Sequence, residues 1–111
     1  MTQANQNLTL YQQETRNILC EFRDENGALV DLGSATITWV ARSTTGTANA
    51  LSKTVGAGIS VTGTGTFTIT LSQADTASLS GTYYHECVVE IGADRDTIFT
   101  GTINVNPSLI P

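Results

Sequence analysis

Large apolar side chains alternate with threonines in the segment from 66 to 71, which predicts a β-strand. Phe67, Ile69 and Leu71 fall on one face of that strand, and the threonines fall on the other. Ser72 comes next and is followed three residues later by Asp75, a capping-box-like start for one short helical turn near residues 72–79. Segment 81–91 then alternates again. This strand, helical turn and second strand form a module that crosses between the sheets of a β-sandwich.

The rest of the chain repeats this pattern of short apolar strands separated by turn residues. Asn26-Gly27 is a strong hairpin signal because both residues tolerate positive φ. The glycine-punctuated segments 51–55 and 59–61 are expected at a sheet edge, and 92–96 is expected to be a turn. We therefore predict an all-β fold, a two-sheet Ig-like β-sandwich of seven to nine short strands. The further strands are predicted at 7–13, 16–23, 28–32, 35–42 and 97–105.

The pattern predicts one domain, residues 7–106, between two terminal segments. Residues 1–6 form a polar N-terminal arm without periodicity. Pro107 ends the last strand, because proline cannot donate to a β-ladder, and residues 107–111 form an extended tail. Gly101 falls on the inward face of the last strand, which leaves room for a bulky neighbour such as Trp39.

The charge and the hydropathy of the chain argue against a nucleic-acid partner and against a membrane span. The 111-residue chain has a net charge of −5, and its five basic residues are scattered. Because phosphate binding needs clustered Lys and Arg, a nucleic-acid partner is not expected. No apolar run approaches 18 residues, so we expect neither a signal peptide nor a membrane span in this sequence. The protein is expected to be made in the cytoplasm, or its signal was already removed.

Cys20, Trp39 and Cys87 occur in the order of an immunoglobulin disulfide framework. One interpretation is an inter-sheet disulfide that packs against Trp39. The other is two small buried side chains in a protein made in a reducing compartment. His85 stands two residues before Cys87, where an immunoglobulin domain would carry tyrosine.

No catalytic, cofactor or metal site is predicted from the sequence. His85, the single histidine, shares the core face of its strand with Cys87 and is expected to be structural. Glu86 and Glu90 point outward, but residues i and i+4 on a strand lie roughly 13 Å apart, too far for a glycosidase pair. The acidic residues of the turns lack calcium-loop spacing and are expected to be solvated: Asp24, Glu25, Asp31, Asp94 and Asp96.

Several motifs between residues 31 and 105 are typical of one group of proteins. The chain resembles small Ig-like structural proteins of tailed bacteriophages, including the N-terminal module of baseplate upper proteins. The matching stretches are Leu32-Gly-Ser-Ala-Thr-Ile37-Thr-Trp39, Gly58-Ile59-Ser-Val61, Gly65-Thr-Phe67-Thr-Ile69-Thr-Leu71, Ala74-Asp75-Thr76, Gly81-Thr-Tyr83-Tyr-His85-Glu86 and Phe99-Thr-Gly101-Thr-Ile103-Asn-Val105.

The resemblance implies a non-enzymatic virion component that works through protein–protein contacts. Because this chain is a lone domain, a capsid decoration or cement protein is favoured, with the major capsid protein as partner and a homo-oligomer as its form. Pro107, Leu109 and Ile110 would then be assembly contacts. One alternative is a tail or baseplate accessory component. Another is a carbohydrate-binding adhesin module, for which Tyr11 and Tyr84 are the outward aromatic side chains.

Overall fold

The computed structural model describes residues 4–5, 7–44, 46 and 48–109, and most of them lie in β-strands. One short helix interrupts the strands. In chain order the elements of this part are β1 (Ala4–Asn5), β2 (Leu8–Tyr11), β3 (Arg16–Glu21), β4 (Thr36–Ser43), β5 (Asn49–Val55), β6 (Gly58–Gly63), β7 (Thr66–Leu71), α1 (Gln73–Ala77), β8 (Gly81–Ile91) and β9 (Asp94–Asn106). The all-β prediction is therefore confirmed.

The strands form one curled, hydrogen-bonded path in the order β1-β9-β8-β4-β5-β6-β7-β3. Strand β2 also pairs with β9, further along the same edge, and both β1 and β2 run parallel to it. Within the segment predicted to be a polar N-terminal arm, Ala4–Asn5 form a short strand. Ala4 and Asn5 pair with Phe99 and Thr100. On the side of β9 that faces away from β8, backbone N–H and C=O groups are available to a further strand.

Strands β5 and β6 are joined by only two register pairs, Thr54 with Gly58 and Val55 with Ile59. Gly56 and Gly58 both have positive φ, so the chain turns sharply there and pairs with itself. The sequence predicted that these strands lie at a sheet edge, whereas in the structure each of them has a neighbouring strand on both sides. Apart from these two register pairs, however, β5 pairs only with β4 and β6 only with β7 among the described strands.

One hydrophobic core draws on both ends of this path. The alternation in β7 is confirmed, because Phe67, Ile69 and Leu71 are each at most 1% exposed. Trp39 and Cys87 from the other half of the path are fully buried in the same cluster. The remaining members are Leu10, Ile18, Phe22, Leu32, Ile37, Ala41, Ile59, Leu79, Tyr83, Val89, Ile98, Phe99, Ile103 and Val105. The path therefore curls so that the inner faces of its two halves meet.

The segment predicted as a strand at 28–32 is irregular. Its single β-bridge joins Arg23 to Leu29. The carboxylate of Asp24 accepts hydrogen bonds from the backbone N–H groups of Asn26 and Ala28, at 2.9 and 3.0 Å. Backbone hydrogen bonds from Asp24 to Ala28 and from Gly27 to Asp24 close the same turn. The turn is thus closed locally, and the predicted hairpin does not extend into a ladder.

The hairpin between β8 and β9 is tighter than the sequence indicated. Ile91 pairs directly with Asp94, which leaves a two-residue loop of Gly92 and Ala93. Gly92 has a φ of 60°, as a primed hairpin turn requires. The predicted turn over 92–96 is therefore wrong at its C-terminal end, where Asp94 and Asp96 already belong to β9 despite their polarity.

The predicted helical turn is confirmed as α1, with a complete capping box. Ser72 Oγ accepts from the Asp75 N–H at 3.2 Å, and the Asp75 carboxylate accepts from the Ser72 N–H at 2.8 Å. Thr76 is fully buried, and its hydroxyl donates to the Glu14 carbonyl at 2.9 Å. Both the cap and this tertiary bond therefore fix a helix that is too short to be stable alone.

Candidate functional site

A groove of about 570 Å³ lies on the outer face of β4, β8 and β9. The side chains that line it alternate along these strands with core residues such as Trp39 and Cys87. We call it the sheet groove and define it by six residues, namely Asn7, Arg42, Asn49, Tyr84, Glu86 and Thr102. It is a concave surface that combines an aromatic ring with polar groups.

Strand register places the central groove residues in one row across the sheet. Arg42 pairs with Tyr84, and Tyr84 pairs with Thr102. Asn49 pairs with Arg42 at one end of the row. At the other end, Asn7 contacts Thr102 through hydrogen bonds. Five side chains that are distant in sequence therefore form a continuous stripe.

Hydrogen bonds fix the two terminal amides of this row. The Arg42 guanidinium donates from Nε and Nη2 to Asn49 Oδ1, at 3.2 and 3.1 Å. The N–H and the hydroxyl of Thr102 donate to Asn7 Oδ1, at 3.0 and 3.2 Å. The amide oxygen of Asn49 is thus bonded to Arg42, and that of Asn7 is bonded to Thr102. The NH₂ group of each amide takes no part in these bonds and can donate elsewhere.

Tyr84 and Glu86 occupy the middle of the sheet groove on β8. Tyr84 is 58% exposed, as expected from its outward position on the strand, and Tyr11 on β2 is 53% exposed. Glu86 is half-buried, and its Oε1 accepts from the Thr97 hydroxyl at 3.2 Å. Glu90 is exposed and does not line the groove. The arrangement offers an aromatic face beside one carboxylate and one guanidinium.

His85 lies beneath the groove on the core side of β8 and is 2% exposed. Its Nδ1 accepts a hydrogen bond of 3.0 Å from the Trp39 indole, and its ring contacts Phe99 with centroids 5.4 Å apart. The predicted place of His85 on the core face is thus confirmed. In register, Gly101 pairs with His85 rather than with Trp39.

Cys20 and Cys87 are both free thiols in this structure, and the disulfide stays a prediction. Cys87 is buried and Cys20 is half-buried. Burial raises the pKa of Cys20 to about 12. Burial, together with the charges of Cys20 and Glu86, raises the pKa of Cys87 as well. Both sulfurs therefore stay protonated at neutral pH and are poor nucleophiles.

Two of the carboxylates that were expected in turns, Asp24 and Asp31, accept hydrogen bonds from backbone N–H groups. Asp24 and Asp31 close their own turns, and Asp31 accepts from the Gly33 N–H at 2.9 Å. In the described ranges, no group of three or more His, Cys, Asp or Glu side chains is arranged to hold a metal ion. None of the described helices has the length and apolar character needed to cross a bilayer.

Two of the three predicted assembly residues are described at the C-terminus. Pro107 is exposed, and Leu109 is 96% exposed. Ile110 lies outside the described residues. Leu19 was not singled out from the sequence, although it is 81% exposed on β3. Its alternation with Ile18 and Cys20 was the signal that could have identified it as an outward apolar residue.

No protein-family model matches this chain, and a search of curated proteins finds no significant match. Of the sheet groove residues, sequence reasoning had identified Tyr84 and Glu86 as outward-facing. The others were missed because only strand register reveals that Arg42 lies opposite Tyr84 and that Asn49 lies beside Arg42.

Proposed function

We propose that this protein is a non-enzymatic structural protein of a tailed-phage virion, and that it decorates the capsid through contacts with the major capsid protein. The motif resemblance in segment 31–105 supports the virion assignment. A two-sheet Ig-like sandwich fits the same proposal, with β1, β2, β9, β8, β4 and β5 in one sheet and β6, β7 and β3 in the other. The two-pair join between β5 and β6 would be the crossing point.

The observation that carries the proposed mode of contact is the open edge of β3. Among the described strands, β3 pairs only with β7, so the backbone groups along its other side have no strand partner. Leu19 in this strand is 81% exposed, beside the buried Ile18. An open edge with an exposed apolar side chain is suited to pairing with a strand from another chain.

Charged pairs flank this edge at both ends. Arg16 contacts Glu14 at 2.6 Å, and Arg23 contacts Glu21 at 2.7 Å. Both pairs are solvent-accessible, so each adds little stability to the fold. They would instead limit the register and direction in which a strand from another chain can pair with β3. This favours one defined partner over general aggregation.

The C-terminal tail provides a second proposed contact. Leu109 is nearly fully exposed, and Pro107 prevents the ladder of β9 from continuing into it. The tail, with Pro107, Leu109 and Ile110, would lie across a neighbouring subunit. Copies arranged in this way around a capsid symmetry axis would form the homo-oligomer implied by the resemblance.

Co-sedimentation with isolated heads and isolated tails of the phage that carries this sequence tests the proposal, with bound protein localised by electron microscopy. We expect a regular lattice on heads. Binding confined to tails would contradict decoration and favour a tail or baseplate accessory component. Binding to neither particle would overturn the virion assignment.

Two matched variants identify the contact. Leu19→Lys adds a charge to the β3 edge, and Leu109→Lys makes the same change in the tail. We expect Leu19→Lys to weaken head binding at least tenfold while leaving the unfolding midpoint nearly unchanged, because the side chain is exposed. If only Leu109→Lys weakens binding, the tail rather than the edge makes the contact. If neither does, both proposed contacts are wrong.

A further inference from the structure

The sheet groove has the chemical features of a carbohydrate site. A sugar ring presents an apolar face of C–H groups and a rim of hydroxyls that both donate and accept hydrogen bonds. Small-molecule sites match such ligands with an aromatic surface and a few fixed polar groups. Tyr84 supplies the aromatic surface at the centre of the row, and this residue is more than half exposed.

The donors of the groove are held in place before any ligand binds. Asn7 Oδ1 is occupied by two bonds from Thr102, and Asn49 Oδ1 by two bonds from Arg42. Within the described part of the chain, neither amide nitrogen has a hydrogen-bond partner of its own. Fixed donors reduce the entropy that binding would otherwise cost.

The charges of the groove favour a neutral ligand. Arg42 and Glu86 carry opposite charges and lie on neighbouring strands, in adjacent rows of one sheet face. A phosphate or an acidic sugar would be attracted by Arg42 but repelled by Glu86. A hydroxyl can instead donate to the carboxylate and accept from the guanidinium.

The dimensions of the groove fit more than one sugar ring. The row from Asn49 to Asn7 crosses from β5 to the N-terminal edge of the sheet, which corresponds to roughly 19 Å at the usual strand spacing. The groove volume of about 570 Å³ lies inside the range of small-molecule sites. We therefore propose that the sheet groove binds a short neutral oligosaccharide, with Tyr84 as the stacking platform and Asn7 and Asn49 as donors.

A nuclear magnetic resonance titration of the full chain tests this directly. The probes are maltotriose, cellotriose and triacetylchitotriose as neutral sugars, and sialyllactose as an acidic one. We expect saturable binding of at least one neutral probe in the millimolar range or tighter. The side-chain amide signals of Asn7 and Asn49 should shift. If no probe gives saturable shifts, or if sialyllactose binds best, the proposal is wrong.

Two tyrosine variants provide the matched comparison. Tyr84→Ala removes the platform and should weaken binding about tenfold or more, whereas Tyr84→Phe keeps the ring and should bind nearly as well as the parent chain. Tyr11→Ala removes a similarly exposed tyrosine outside the groove and should leave affinity unchanged. Equal affinity of the Tyr84→Ala and parent proteins would overturn the assignment. Because no phage particle is involved, failure here is distinguishable from failure of the decoration proposal.

Discussion

The indole nitrogen of Trp39 donates to Nδ1 of His85 at 3.0 Å, joining neighbouring strands β4 and β8 inside the core. The two rings meet edge to face with centroids 6.0 Å apart. Since the indole N–H can only donate, Nδ1 of the imidazole must be the acceptor, and the ring proton belongs on Nε2. The bond therefore fixes the tautomer of the single histidine and allows two polar atoms to be buried among apolar side chains.

Substitutions at Trp39 should separate packing from hydrogen bonding. Trp39→Ala should lower the free energy of unfolding by about 3–5 kcal/mol, because it leaves a large cavity at a fully buried position. Trp39→Phe retains most of the ring volume but removes the donor to His85, and should cost about 1–3 kcal/mol. Urea unfolding measures both. A loss below about 1 kcal/mol for Trp39→Ala would contradict the burial of this residue.

Glycines 56 and 58 form a natural comparison at the join between β5 and β6. Both have positive φ, but a Cβ at Gly58 would overlap the Lys53 side chain, whereas one at Gly56 would meet nothing within 4 Å. Gly56→Ala should therefore cost about 1–2 kcal/mol, from backbone strain alone. Gly58→Ala should cost about 2–4 kcal/mol, because overpacking is added to that strain.

The comparison between Gly56→Ala and Gly58→Ala is made by urea unfolding at neutral pH. The stem of Lys53 cannot simply move aside, since its ammonium group is bound to Asp75 at 2.8 Å. Equal destabilisation by the two alanines would show that Lys53 adjusts freely and that the ion pair does not restrain it.

The parts of the fold that could be predicted are those specified by neighbouring residues. The two-residue period of Phe67, Ile69 and Leu71 determines which face is buried, and the spacing of Ser72 and Asp75 determines where α1 begins. Each of these features depends on side chains only a few positions apart. Local physical chemistry was therefore sufficient, and the structure agrees with it residue by residue.

The features that were missed depend on distant partners. Asp94 and Asp96 resemble turn residues by composition, but pairing with Ile91 and Val89 recruits them into β9. Leu29 follows a hairpin signal, yet the turn is closed by local hydrogen bonds of Asp24 and only one β-bridge forms. The sheet groove is a similar case, because its row exists only once four strands are in register and Asn7 is bonded to the last of them.

Asp75 should make stability depend on acidic pH. Burial alone would raise the pKa of this carboxyl, but the hydrogen bonds from Lys53 and Ser72 and the charge of Lys53 outweigh burial and hold it below its usual value. In the unfolded chain the group titrates near about 3.9. Its contribution is therefore present above that pH and is lost as the pH falls through the lower folded-state pKa.

Lys53→Met tests the role of Asp75 in urea unfolding between neutral and strongly acidic pH. At neutral pH this variant should lose about 1–2 kcal/mol, because a half-buried charged hydrogen bond is broken. Its stability should also fall less steeply on acidification. Arg23→Met breaks a more exposed ion pair and should change stability by less than about 0.5 kcal/mol. Identical acid profiles for the parent and Lys53→Met proteins would contradict the argument.

The two thiols should make stability depend on alkaline pH in the opposite direction. Burial raises the pKa of Cys20 to about 12, and Cys87 is buried more deeply. In the unfolded chain, thiols ionise near about 8.5. Above that pH the unfolded state releases protons that the folded state retains, so the free energy of unfolding should decrease as the pH rises through this interval.

Two measurements check the state of these thiols. Alkylation by iodoacetamide at mildly alkaline pH, followed by mass spectrometry, should be slow in the folded protein, with Cys20 reacting before Cys87, and fast in urea. Cys20→Ala should show a shallower alkaline loss of stability than the parent protein. Folded-state alkylation as fast as that in urea would show that the thiols are accessible. An unchanged alkaline profile in Cys20→Ala would show that ionisation of this thiol does not contribute to the loss.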